Sequence, residues 1–107
     1  MKFIQIITTC PDKKRCKNII KKILNEKLAS CCQIIGPIES HYWWENRIEK
    51  SKEWIIFIKC KKENYKKIEK KIKQEHPYKI PEIISFEISN LSNEYSNYLS
   101  QTEMEKK

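Results

Sequence analysis

The sequence predicts an α+β domain in which four antiparallel strands carry two helices on one face. Three observations lead there. Apolar residues recur with period two in some segments and at helical spacing in others. The segments follow the order strand, helix, strand, strand, helix, strand, with a short helix last. The run from Ala29 to Cys60 reads as one long hairpin, and the rest of the chain is organised around it.

Lys2–Thr8 is nearly continuous in apolar character, as expected of a central strand, and Thr9-Cys10-Pro11-Asp12 stops it. Pro11 and Asp12 suit a helix start, through a fixed φ and a favourable N-terminal charge. From Lys13 to Lys27 the stripe Cys16, Ile19, Ile20, Ile23 and Leu24, continued by Leu28, repeats at helical spacing among lysines. Within the hairpin, Ile38, Tyr42 and Trp44 alternate on the first arm and Trp54, Ile56 and Ile58 on the second. The polar stretch Ile48–Lys52 is the predicted turn. Gln33 to Ile48 would then span roughly 50 Å at about 3.3 Å per residue. A chain this long has a diameter of only about 35 Å. Gly36-Pro37 is expected to bend the arm, and the excess is expected to project and pair with another chain.

The charged run Lys61–Glu75 places Tyr65, Ile68 and Ile72 on one thin helical face, and His76-Pro77 ends it because a residue before proline avoids the α region. Ile83–Ile88 is the fourth strand. A short helix over about Asn93–Leu99 turns Tyr95, Tyr98 and Leu99 inward, and Gln101–Lys107 is expected to fray. This order is the split β-α-β-β-α-β, ferredoxin-like pattern, in one domain over residues 1–107 with an ordered core of about 2–100. Right-handed crossovers put both helices on one face. The other face stays bare and apolar, which asks for a partner and points to a closed homo-oligomer.

Composition narrows the function classes. The net charge of +8 invites a nucleic-acid reading, but only Arg15 and Arg47 are arginines, and the lysines are spread over helix surfaces. Base and phosphate readers lean on the planar fork of arginine. No nucleic-acid partner is expected. No apolar run reaches the about 18 residues that a membrane span needs, so no membrane partner is expected either. Five cysteines with no CxxC spacing, and an N-terminus leading straight into a strand, point to reduced thiols and a cytoplasmic protein. An organellar location follows if the chain is a trimmed precursor.

No catalytic set is present, and the expectation is that the protein is not an enzyme. The single glycine, Gly36, rules out a phosphate-cradling loop. A Cys–His pair from Cys31 or Cys32 is weighed against packed core thiols, and Asp12, Glu45 and Glu82 against capping or exposed carboxylates. His76-Pro77-Tyr78-Lys79-Ile80-Pro81-Glu82 is the densest unusual stretch outside the hairpin. Two prolines hold His76, Tyr78 and Glu82 in fixed directions, as a metal or small-ligand site requires. The alternative is a rigid helix-to-strand turn whose His and Tyr plug a seam.

Five blocks in order carry a family resemblance. They are Thr8-Thr9-Cys10-Pro11-Asp12, Leu28-Ala29-Ser30-Cys31, Tyr42-Trp43-Trp44-Glu45 with Ile48-Glu49, His76 to Ile84, and Asn93-x-Tyr95-x-x-Tyr98-Leu99. The set resembles the CutA divalent-cation-tolerance family over residues 3 to 100. The resemblance implies a ferredoxin-like subunit in a tight homotrimer similar to the PII signalling proteins, with hairpins wrapping neighbours. It also implies weak binding of copper or other divalent cations, without an obligatory cofactor, and a small ligand, anionic in this reading, between subunits.

The residues that match place Tyr42, Trp44, Glu45, Lys59, His76, Tyr78 and Glu82 around that inter-subunit cleft, with His76 and Glu82 as the metal ligands. The same residues also suit a plain interface cluster. The sequence departs from some bacterial members, whose suggested copper site has a cysteine at the position of Thr8 and histidines at Glu75 and His76. Only His76 remains, and an imidazole with a hydroxyl and a carboxylate holds Cu(II) less well than a thiolate with two imidazoles. Trp43, Asn46, Arg47, Gln33 and Lys79 depart as well. The alternative function is a scaffold trimer that binds another protein.

Overall fold

The computed structural model describes residues 2–103. Its elements are β1 (Phe3–Cys10), α1 (Lys13–Asn25), β2 (Cys31–Trp44), β3 (Arg47–Lys61), a 3-10 turn (Lys62–Asn64), α2 (Tyr65–Glu75), β4 (Ile83–Glu87) and α3 (Asn93–Glu103). The four strands form one antiparallel sheet in the order β2-β3-β1-β4. This is the predicted ferredoxin-like arrangement. Gln101–Glu103, expected to fray, continue α3, while 104–107 lie outside the described residues.

The core lies between the sheet and the first two helices. Ile4 and Ile6 of β1 and Ile56, Ile58 and Cys60 of β3 meet Cys16, Ile19 and Ile23 of α1 and Ile68 and Ile72 of α2. All are buried, and each aliphatic side chain contributes about 1.5–3 kcal/mol. Asp12 caps α1 by accepting the Arg15 N–H at 2.8 Å. At the other end Lys27 takes φ 56°, and the Lys27 and Leu28 amides bond back to the Leu24 and Ile23 carbonyls. That left-handed closure ends α1 at Asn25, short of the Lys27 expected from the stripe.

β1 continues two residues beyond Thr8, because Thr9 and Cys10 pair with Ile55 and Trp54 on β3. The β2–β3 register shifts between Ile35 and Ile38, where the cis Gly36-Pro37 step interrupts pairing as anticipated. Gly36 has φ +155°, and a Cβ there would lie 2.7 Å from Trp54 Cδ1.

The hairpin turn corrects the sequence reading. The chain reverses at Glu45-Asn46, and Ile48–Lys52 are strand residues paired with Glu39–Trp43. Glu45 and Asn46 have φ 50° and 64°, and φ is positive at both central positions of a type I′ turn. The polar run looked like a turn because this part of the hairpin projects and both its faces are wet. The longest dimension is 45 Å, beyond the expected diameter.

Opposite the helices, Ile35, Ile84 and Phe86 are exposed beside the half-buried Ile7, Ile55 and Phe57. α3 packs on β3 at one end of the sheet, where Ser30 Oγ donates to the Leu99 carbonyl, Tyr98 Oη donates to the Ser30 carbonyl and Leu99 is fully buried.

Candidate functional site

Beyond the bulge, pleating puts Ser40, Tyr42 and Trp44 of β2 on the same side as Ser51 and Glu53 of β3. The segment after α2 faces that side across an open cleft of about 900 Å³. Ser40, Tyr42, Trp44 and Glu53 line one wall, and Tyr78 and Glu82 line the other. Tyr42 Oη and Ser51 Oγ are 3.2 Å apart, which steadies the outer part of the first wall.

His76 stands behind the second wall. It is the C-cap of α2, with φ −83° and ψ 136°, so it leaves the helix before Pro77 as the proline rule requires. The residue is 9% exposed, and both ring nitrogens have backbone partners. Nε2 donates to the Thr9 carbonyl at 2.5 Å, and Nδ1 accepts the Tyr78 N–H at 3.1 Å. A carbonyl only accepts and an amide only donates, so this pattern needs the Nε2–H tautomer. The His76 and Tyr78 rings lie 4.8 Å apart.

Tyr78 reaches back across the cleft, its hydroxyl donating to Glu53 Oε2 at 2.8 Å. Burial first, and then that bond to a carboxylate, push the phenol well above its ordinary range, so Tyr78 stays a donor. Glu53 is 5% exposed although it lines the cleft.

The structure therefore brings Tyr42, Trp44, Tyr78 and Glu82 of the one chain to one cleft, with His76 behind them. Glu45 sits in the hairpin turn, and Lys59 lies on the uncovered sheet face, donating to Gln33 Oε1 at 2.7 Å. Neither lines this cleft. Asp12 is a helix cap.

The considered thiol–imidazole pair does not form, since His41 bonds Glu39 and His76 bonds backbone. Cys31 instead bonds Tyr95, and burial pushes the Cys32 thiol up to about 12. Among the described residues no group of three His, Cys, Asp or Glu side chains could hold a metal ion.

The residue that sequence reasoning missed is Glu53. A turn at Ile48–Lys52 puts it at the exposed start of a strand. In the observed register it is six residues up β3 from Arg47 and paired with Ile38. It is out of phase with the core-facing Ile56 and Ile58 and shares its side of β3 with Ser51, so the apolar alternation carries no signal for its burial.

A model of the "CutA1 divalent ion tolerance protein" family matches residues 4–102. The divalent-cation tolerance protein CutA of Pyrococcus horikoshii is 30% identical, over 91% of this chain and 94% of that protein. Among solved structures, CutA1 from Oryza sativa superposes with a TM-score of 0.92 at 30% identity, covering 95% of this chain and 94% of that one. The structure described as the periplasmic divalent cation tolerance protein CutA from Archaeoglobus fulgidus gives 0.91 at 30% identity, with 94% and 97% covered.

Proposed function

We propose, from the premise that this chain belongs to the CutA1 divalent ion tolerance protein family, that it serves in the tolerance of, or response to, divalent cations such as copper. In this reading it is a non-enzymatic, cytoplasmic homotrimer that binds metal weakly, and a small ligand, in clefts completed by neighbouring copies. The observation that carries it is the stiff segment after α2, which puts the Glu82 carboxylate on the cleft and the His76 imidazole just behind it.

Imidazole and carboxylate donors suit Cu(II) and its neighbours. His76 can coordinate only by releasing the Thr9 carbonyl or the Tyr78 amide. A metal at this place therefore competes with the local fold, and that competition keeps the affinity low. Assembly would supply a further carboxylate donor, Glu45 meeting the cleft from a neighbouring copy.

The test is calorimetric titration of Cu(II) into the purified protein and into the His76→Ala and Glu82→Gln variants. The reading expects saturable binding that weakens by about tenfold or more in each variant. Equal binding by wild type and His76→Ala removes His76 from the site, and no binding by wild type removes the metal from the function. A scaffold trimer for another protein is favoured by one observation, the exposed Trp43–Ile48 pair beside the hairpin turn. Metal-independent capture of a defined protein, lost in Trp43→Ser, is its signature.

A further inference from the structure

Glu53 is a buried carboxylate with a neutral partner only. It is 5% exposed, Tyr78 Oη donates to its Oε2 at 2.8 Å, and no ion pair to it exists among the described residues. Burying a carboxylate without a countercharge costs several kcal/mol even after relaxation. Most buried acids avoid that cost by pairing; here Glu82 adds charge of the same sign to the cleft, and Lys79, the lysine of the lining, makes no ion pair with Glu53. The side chain lines a cleft of about 900 Å³, within the ordinary range for small-molecule sites. Tyr42, Trp44 and Tyr78 supply its aromatic surface.

The geometry points to the cleft as a binding site for a small organic cation, its ammonium group paired with Glu53 and its carbon skeleton against Tyr42, Trp44 and Tyr78. This rests on the proposed function above and deepens it by naming the ligand's charge and class. An aromatic face attracts an ammonium ion through the ring quadrupole, by about 0.5–2 kcal/mol, most where water is excluded. A bare metal ion fits the Glu53 end less well, since no three-donor group is present among the described residues and most of the wall is carbon. An anion is worse placed at the Glu53 end, where it would meet a buried carboxylate, and the single lysine of the lining, Lys79, is outnumbered by Glu53 and Glu82. The whole chain carries +8, so non-specific electrostatics favour anions. Selective uptake of a cation would therefore have to come from the cleft.

The experiment titrates the purified protein, in its native assembly, with spermidine, and with citrate as the anionic control, at about 0.15 M salt, where surface charges are screened beyond about 8 Å. Saturable spermidine binding at one site per chain is expected, with citrate not competing. Glu53→Gln should weaken it by tenfold or more, and Trp44→Leu, at a half-exposed position that does not threaten folding, by several-fold. If Glu53→Gln does not fold, Trp44→Leu decides. No saturable spermidine binding overturns the inference, as does unchanged binding in Glu53→Gln or Trp44→Leu. A crystal structure of the assembly with a neighbouring copy's lysine or arginine on Glu53 also overturns it. Cu(II) binding without spermidine binding sinks this inference alone. Spermidine binding without Cu(II) binding sinks only the metal reading.

Discussion

Gly36 and Tyr78 set limits that single substitutions can reach. At Gly36 the backbone holds φ +155°, and a Cβ would lie 2.7 Å from Cδ1 and 2.9 Å from Cγ of Trp54. Neither the backbone nor the indole can yield cheaply, so Gly36→Ala should cost about 1–3 kcal/mol. A urea titration reads it as a lower midpoint with an unchanged slope. Tyr78 makes stability depend on alkaline pH. Its folded pKa lies above the ordinary 10.0, through burial first and the Glu53 bond second. A group raised in this way contributes stability that is whole below its unfolded pKa and is lost as pH rises through the folded value. Unfolding midpoints should therefore fall from about pH 10 upward. Tyr65 and Tyr95 are also raised by burial, so Tyr78→Phe should flatten the fall without abolishing it. A Tyr78→Phe profile identical to wild type would show that the phenol is not held as described.

The elements differ in how plainly the sequence announces them, and the difference has a physical source. β1, α1 and α2 each bury one side against the core, so Ile4, Ile6, Ile19, Ile23, Ile68 and Ile72 impose their period on the residue order. The outer hairpin buries neither side within this chain, and its residues Glu49, Lys50, Ser51 and Lys52 carry no inside–outside signal. Such a charged stretch reads as a turn, which starts β3 after Lys52 rather than at Arg47. The cleft suffered in turn: its aromatic wall and its proline-stiffened segment were legible from residue type, but Glu53 is seen to share a side with Tyr42 and Trp44 only once the turn sits at Glu45-Asn46. The turn itself can be tested. Glu45 occupies the left-handed region that asparagine tolerates better, and Asn46 the one that glycine prefers. The double change Glu45→Asn, Asn46→Gly should stabilise the protein by about 1 kcal/mol, read as a higher urea midpoint. Asn46→Val should do the reverse. A turn at Ile48–Lys52 would leave both variants neutral.

At the scale of the whole molecule, an open apolar sheet face and a projecting hairpin lie on a strongly basic chain. Ile35, Ile84 and Phe86 are 53%, 43% and 58% exposed, and Trp43 and Ile48 are 70% and 64% exposed beside the hairpin turn. Contiguous apolar surface of this kind marks an interface. The chain has a net charge of +8, so copies of it repel as they approach. Apolar burial must overcome that repulsion, which fixes the sign of the salt effect. Added salt screens the repulsion and leaves the apolar contact intact, so the proposed trimer should resist dissociation better at 0.5 M than at 0.05 M salt, the Debye length falling from roughly 14 Å to about 4 Å. An assembly held by ion pairs would weaken instead, as would a complex with nucleic acid. Light scattering across a dilution series at the two salt concentrations measures this directly. Phe86→Lys, which puts a cation on the exposed face at its β4 edge, should shift the population toward monomer and make the salt effect steeper. A wild-type protein that is a monodisperse monomer at both concentrations would leave the uncovered face without its proposed partner.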